Sequence, residues 1–155
     1  MNYLSQQITF REIPDEVCLS FLIAGCPVRC PDCNSKDSWS KHAGQQLSVD
    51  TFQNLLLKKK DWITCVLFLG GEWEQENLQS FLKIAQQQNL KTALFTGLDQ
   101  IDPELQAHLD YLKTGPYLKE LGGLESPRTN QVLINLKTGK KLSPFKEEYH
   151  HDPLK

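Results

Sequence analysis

The chain has 155 residues, of which 17 are basic and 19 are acidic, and its formal net charge is -2 at pH 7. This length fits a single domain that buries about 68–70% of its unfolded surface on folding, so a core can form without disulfides. The small net charge gives no electrostatic reason to expect nucleic acid or an anionic membrane as a partner. The apolar runs are far shorter than the ~20 residues of a membrane span, and residues 1–10 lack a signal-peptide core, so we expect a protein of the reducing cytoplasm.

The first confidently predicted element is a buried strand over residues 17–24. It is apolar at nearly every position, which is typical of a strand covered on both faces in a parallel sheet. Cys18 belongs to this run, and we interpret it as a core residue. The preceding residues 1–16 are mostly polar, with one apolar alternation at Ile8 and Phe10, and we predict that they form a short edge strand or a lid.

Three thiols follow this strand within eight residues, at Cys26, Cys30 and Cys33. Thiolates with three and then two residues between them can converge on one soft metal centre if the loop curls, and one glycine and two prolines favour such a turn. A structural zinc site and an ordinary iron-sulfur cluster each need four protein ligands, whereas this loop offers three. One coordination position is therefore left open, and a cubane cluster with one iron free for an outside ligand fits best.

Two other uses of the cysteines stay open. His42, nine residues after Cys33, is the nearest fourth ligand for a zinc ion, although the stretch between them matches no common zinc spacing. A disulfide is less favoured, because the five cysteines are an odd number and no secretory signal is present.

A second strand that ends in a glycine pair is the next predicted unit. Residues 48–60 predict a capped amphipathic helix, and the strand follows over residues 63–69. Cys65 lies inside this strand, and we interpret it as core. Glycines at the carboxyl end of a parallel strand let a ligand reach the backbone, and here the strand runs into Gly70-Gly71-Glu72.

Two further strands and two helices continue the alternation of strands and helices. The pattern predicts a helix near residues 74–88, a strand over 92–95, a short helix over 102–109 and a strand over 111–113. Thr96 ends the third strand, where it can contact a cofactor or simply form a turn. Lys113 ends the fourth strand, and we expect a surface lysine there rather than a contact with a partner or with a cofactor carboxylate.

This alternation of strands and helices predicts a right-handed parallel βα array. A closed eight-stranded barrel takes ~250 residues, so the chain predicts an α/β fold of the partial, open (β/α) barrel type with a parallel sheet. An open side suits a large substrate, such as a loop of another protein, because a small molecule is usually enclosed. Residues 132–136 predict a last strand, and residues 146–155, which contain Tyr149-His150-His151-Asp152, predict a flexible tail.

The spacing C-x3-C-x2-C at the exit of the first strand resembles that of the radical S-adenosylmethionine enzymes. The resemblance implies that the three cysteines hold a 4Fe-4S cluster, whose fourth iron is chelated by the methionine moiety of S-adenosylmethionine. It also implies that Gly70, Gly71 and Glu72 bind the amino group of that moiety, although Trp73 replaces the usual proline. Many members place an aromatic residue before the third cysteine. This chain has Asp32 there, so adenine is expected against backbone groups of Asp32, Cys33 and Asn34.

A later segment resembles that of one particular group of these enzymes. Residues 122–131 contain the run Ser126-Pro127-Arg128-Thr129-Asn130-Gln131, which looks like the one in the small activating proteins of anaerobic (class III) ribonucleoside-triphosphate reductase. This implies that an electron from reduced flavodoxin or a similar donor cleaves the cofactor, and that the resulting 5′-deoxyadenosyl radical takes a hydrogen atom from a glycine of the reductase. The alternatives are an activase of another glycyl radical enzyme, of the pyruvate formate-lyase type, and a non-enzymatic zinc-binding module.

Overall fold

The computed structural model describes residues 1–142, and within them eight strands form one sheet. The predicted tail, residues 146–155 with His150 and His151, lies outside the described residues. The strands are β1 (Asn2–Thr9), β2 (Cys18–Ile23), β3 (Gln45–Gln46), β4 (Cys65–Leu69), β5 (Lys91–Phe95), β6 (Tyr111–Thr114), β7 (Val132–Asn135) and β8 (Lys141–Leu142). The α-helices are α1 (Val49–Lys59), α2 (Gln75–Gln87) and α3 (Pro103–Gln106), and short 3-10 turns cover Lys36–Ser38 and Glu72–Glu74.

The sheet is mixed and open, with the strand order β3-β1-β2-β4-β5-β6-β7-β8. Its four central strands β2, β4, β5 and β6 are parallel, as in the register Cys18↔Cys65 between β2 and β4. The flanking strands run antiparallel to their neighbours. The predicted partial, open α/β fold is confirmed, and its parallel part consists of the four strands that the sequence indicates.

Helices cover the outer face of the sheet. The amphipathic stripe of α2 buries Leu78, Phe81, Leu82 and Ala85 against it. Four phenylalanine rings from two strands and two helices pack against one another at centroid distances of 4.9–6.2 Å, namely Phe21, Phe52, Phe68 and Phe81. None of the helices within residues 1–142 combines the length and the apolar character that crossing a membrane demands.

The inner face of the sheet carries the alternate residues of the same strands. Cys18 and Cys65 lie side by side there and are fully buried, which confirms both as core residues. Ile13, from the connection between β1 and β2, packs onto this face together with Leu133 of β7. Both faces of the central strands are covered. A ligand can therefore reach these strands at their ends, and the site described below lies at their carboxyl ends.

A buried carboxylate organises the opposite edge, at the amino ends of the strands. Glu16 accepts hydrogen bonds from Lys91 Nζ, from Tyr111 Oη at 2.7 Å and from Thr64 Oγ1. Burial by itself raises the pKa of Glu16, but the hydrogen bonds from Lys91, Thr64 and Tyr111 outweigh it, so the pKa is lowered below its usual range. Burial and the neighbouring Glu16 raise the pKa of Tyr111 to about 12.

We expect Glu16→Gln to weaken folding and to flatten its acid dependence. A carboxylate whose pKa is lower in the folded state stabilises that state above its unfolded pKa, and this contribution is lost as the pH falls through the folded pKa. Losing charge-assisted hydrogen bonds costs ~1–3 kcal/mol of unfolding free energy at neutral pH. Urea unfolding of both proteins between neutral pH and acid measures this, with Glu120→Gln at an exposed position as the matched control. The assignment would be contradicted if the free energy of unfolding fell by the same amount towards acid pH in the Glu16 variant and in the parent protein.

Candidate metal and cofactor site

A cavity of about 230 Å³ lies at the carboxyl ends of the four parallel strands. Each strand contributes the residues that follow it, because parallel strands bring their carboxyl ends to one edge of the sheet. Six of the predicted site residues line the cavity, namely Cys26, Cys30, Cys33, Gly70, Glu72 and Thr96. Asn34 lines an adjoining groove instead, and Asp32 and Gly71 line neither.

The cysteine loop turns away from β2 through local backbone contacts. Gly25 has a φ of +98°, a conformation that residues with a side chain rarely adopt. The backbone N–H groups of Gly25 and Cys26 both donate to the carbonyl of Ser38, at 2.6 and 3.2 Å. Further along, the N–H of Cys33 donates to the carbonyl of Cys30 at 3.1 Å. These bonds fold the loop back over the strand ends and place its three thiols around the cavity.

The three thiols are half-buried, form no disulfide and are not gathered around a single point. No three His, Cys, Asp or Glu side chains within residues 1–142 converge closely enough to hold a metal ion. Binding of irons is therefore expected to tighten the loop. The donor set suits an iron-sulfur cluster, since thiolates are its usual ligands. His42 is exposed and lines a separate surface with Cys26, and it does not line the cavity that Cys30 and Cys33 share.

In the turn after β4, the ring of Trp73 lies close to the glycine backbone. Gly70 and Gly71 have φ values of +88° and +113°, and a Cβ atom on Gly70 would lie 2.5 Å from the ring of Trp73. The indole Nε1 of Trp73 donates to the carbonyl of Ala24 at 3.1 Å, which ties this turn to the end of β2. Trp73 thus fills the place expected for a proline and closes one wall of the cavity, a role that the sequence pattern did not indicate.

Glu72 presents an unsatisfied acceptor to the cavity. Thr96 Oγ1 donates to Glu72 Oε1, while Glu72 Oε2 is buried and has no hydrogen-bond partner within residues 1–142. Burial raises the pKa of Glu72, and the hydrogen bond from Thr96 opposes that shift. A buried carboxylate oxygen without a donor points to a ligand that carries one, and a primary ammonium group has that chemistry. Thr96 also accepts from the N–H of Leu98 at 3.1 Å, so it serves both the turn and the cavity.

Lys113 corrects the sequence-based expectation of a surface lysine. It lies at the end of β6 and lines the cavity, with its Nζ 5.4 Å from the centre of the Phe95 ring. Burial lowers its pKa, and the nearby Cys30 and Glu72 oppose that shift. It shares the inward face of β6 with Tyr111, two residues earlier, so strand alternation offered a signal for its position. The cavity therefore holds one cation among its thiols and carboxylate.

An open α/β sheet with three thiols at the carboxyl ends of its parallel strands defines a class of domain suited to an iron-sulfur cluster. A family described as the 4Fe-4S single cluster domain matches residues 16–126, which is more than half of the chain. The chain belongs to that family. The matched residues include the whole cysteine loop and the Gly70-Gly71-Glu72 turn.

One similar protein of known activity is the 7-carboxy-7-deazaguanine synthase of Pyrobaculum aerophilum. The two are 27% identical over an alignment of 103 residues that covers 64% of this chain. The aligned part is 46% of the synthase, so the chain spans less than half the length of this relative. Together with the three-cysteine loop, the two matches support the radical S-adenosylmethionine family and a 4Fe-4S cluster for this chain.

We expect Cys30→Ala to prevent stable cluster binding, because two thiolates remain where three irons need ligands. After anaerobic incubation with iron and sulfide, the variant is expected to lose most of the iron, the sulfide and the visible absorbance of the parent protein. Cys65→Ala is the matched control, since this thiol is fully buried in the inner face, away from the cavity. Retention of full iron and sulfide by the Cys30 variant would overturn the ligand assignment.

Proposed function

We propose that this protein is an activating enzyme that generates a glycyl radical on anaerobic ribonucleoside-triphosphate reductase, using a 4Fe-4S cluster and S-adenosylmethionine. The observation that carries the proposal is the continuity between the cavity and an open groove of about 390 Å³. The two share Cys33, Phe95, Lys113, Tyr117 and Gln131. An open approach of this kind suits a segment of another protein better than a small substrate, which a concave pocket usually encloses.

The far wall of the groove comes from the segment that resembles the reductase activators. Asn130 Nδ2 donates to the carbonyl of Pro116 at 3.0 Å, and Gln131 Nε2 donates to that of Gly115 at 3.3 Å. These bonds fix the segment against the end of β6. Gln131 lines both the groove and the cavity, so this segment borders the path between them. An open path of this kind supports a protein substrate.

The protein supplies binding, orientation and exclusion of water, and the cofactors supply the reactivity. Cys26, Cys30 and Cys33 would hold the irons of the cluster. When bound and reduced, the cluster would supply the one electron needed for reductive cleavage of S-adenosylmethionine, the chemistry that would allow a hydrogen atom to be taken from the target glycine. Glu72 accepts from the amino group of the methionine moiety, and the ammonium of Lys113 pairs with its carboxylate.

The remaining contacts concern the two ends of the cofactor. Gly70 lines the cavity, so its backbone is assigned to the methionine moiety, and Gly71 is assigned there with it as the other glycine of the turn. Adenine is assigned to the backbone of Asp32, Cys33 and Asn34. Thr96 is a positioning residue, since it acts through its hydrogen bond to Glu72.

The similarity to 7-carboxy-7-deazaguanine synthase favours a second candidate, a synthase acting on a small molecule. The two candidates differ in their substrate, which is a protein in the first and a small molecule in the second. Activation of another glycyl radical enzyme, of the pyruvate formate-lyase type, differs only in the partner. All three share the cluster, the cofactor and reductive cleavage, so only the substrate distinguishes them.

The distinguishing experiment presents the reconstituted, reduced protein with S-adenosylmethionine and one candidate substrate at a time. With the anaerobic reductase, we expect the electron paramagnetic resonance signal of a glycyl radical and one 5′-deoxyadenosine for each radical formed. A reductase variant with alanine at its radical glycine is the control. A radical on pyruvate formate-lyase but not on the reductase, or synthesis of 7-carboxy-7-deazaguanine, would overturn the proposal in favour of the corresponding alternative.

We expect Glu72→Gln to weaken binding of S-adenosylmethionine while leaving the cluster in place. The amide keeps the shape of the side chain but loses the charge that an ammonium group needs, and a hydrogen bond to a charged group contributes ~1.5–3 kcal/mol, or roughly tenfold or more in Kd. Equilibrium dialysis without reductant measures the affinity, and iron analysis checks the cluster. Glu76→Gln, at an exposed position of α2, is the matched control. An unchanged affinity in the Glu72 variant would exclude this contact.

A further inference from the structure

A second concave surface, of about 690 Å³, lies on the outer side of the cysteine loop. We call it the basic concavity and define it by its charged, aromatic and thiol residues, which are Cys26, Arg29, Lys36, Asp37, Trp39 and Lys41. Three cations face a single carboxylate there, although the whole chain has a net charge of -2. The positive charge is therefore a local feature of this surface.

The three cationic residues contact neighbouring residues of the cysteine loop and of the segment that follows it. Two of the cations lie near the ring of Trp39: the guanidinium carbon of Arg29 is 5.8 Å from the ring centre, and Lys36 Nζ is 6.0 Å from it. The backbone of Lys41 packs against Gly25, where an added Cβ would come within 3.4 Å of the Lys41 Cα. None of the three cations forms an ion pair with another residue in the described range 1–142. Their charge is thus available to an outside partner.

One residue joins this surface to the site. Cys26 lines both the basic concavity and the cavity of the three thiols. The groove assigned to the protein substrate, by contrast, shares no lining residue with the concavity. A partner on the basic concavity would therefore touch a cluster ligand from outside without occupying the path of the substrate.

We propose that the basic concavity is the docking surface of an acidic protein that donates single electrons. This inference rests on the proposed function, which consumes one electron from outside the chain in each reaction. The donor is oxidised by one electron and the iron-sulfur centre is reduced by one, with no atom or proton transferred between the two proteins. A transient redox encounter needs only a small interface, and complementary charge raises its association rate.

The test compares a charge reversal on this surface with the same reversal elsewhere. Lys36→Glu/Lys41→Glu inverts the basic concavity, and Lys58→Glu/Lys83→Glu makes the same change in net charge on exposed positions of α1 and α2. The probe is an acidic flavodoxin, and dithionite serves as a reductant that needs no docking surface. The ratio of flavodoxin-driven to dithionite-driven formation of 5′-deoxyadenosine is measured, together with the affinity for oxidised flavodoxin by titration calorimetry.

We expect the reversal in the basic concavity to lower the rate ratio and the affinity by about tenfold or more at low salt, and the control to leave both unchanged. Added salt is expected to weaken flavodoxin binding by the parent protein, because ions screen exposed charges. Equal ratios and affinities in the two variants would overturn the docking surface, as would binding of a nucleic acid but not of flavodoxin. Failure of the proposed function has a different signature, which is absence of the glycyl radical on the reductase even with dithionite.

Discussion

The alignment of four parallel strands is the constraint on which the rest of this molecule depends. Because β2, β4, β5 and β6 point the same way, their carboxyl ends meet at one edge, and the loops that follow them share one cavity. The thiols after β2, the carboxylate after β4, the hydroxyl after β5 and the amine at the end of β6 are neighbours only for this reason. The covered faces of the sheet leave that edge as the place where chemistry can occur.

The charged side chains at this edge of the sheet are placed to bind charged groups of a ligand. Glu72 and Lys113 are half-buried in the lining of the cavity, and Glu72 Oε2 has no hydrogen-bond partner within residues 1–142, so both side chains can pair with charged groups of a ligand. S-Adenosylmethionine carries an ammonium group and a carboxylate that match these two side chains. In our proposal, the cations beside Cys26 attract an acidic electron donor. The proposal thus places cofactor binding, substrate access and electron supply on three neighbouring surfaces around the cysteine loop.

Much of the fold could be predicted from the sequence, because strand and helix periodicity is local. The four parallel strands, α1, α2 and the buried Cys18 and Cys65 follow from runs of apolar residues, whereas the two-residue strands β3 and β8 carry no such signal. The cysteine loop and the Gly70-Gly71-Glu72 turn were visible as motifs. Trp73 and Lys113 were not, since their roles depend on contacts with distant parts of the chain, and Asp32 and Asn34 remain predictions that the geometry of the cavity alone does not test.

The central claim is that the three-cysteine loop holds a cluster which cleaves S-adenosylmethionine. The most direct measurement is the metal and sulfide content of the anaerobically reconstituted protein, followed by reduction with S-adenosylmethionine present and analysis for 5′-deoxyadenosine and methionine. The account predicts brown protein with iron and sulfide bound, and both products in equal amounts. Colourless protein that takes up stoichiometric zinc and releases neither product would contradict it, and would make the cysteine loop a structural metal site.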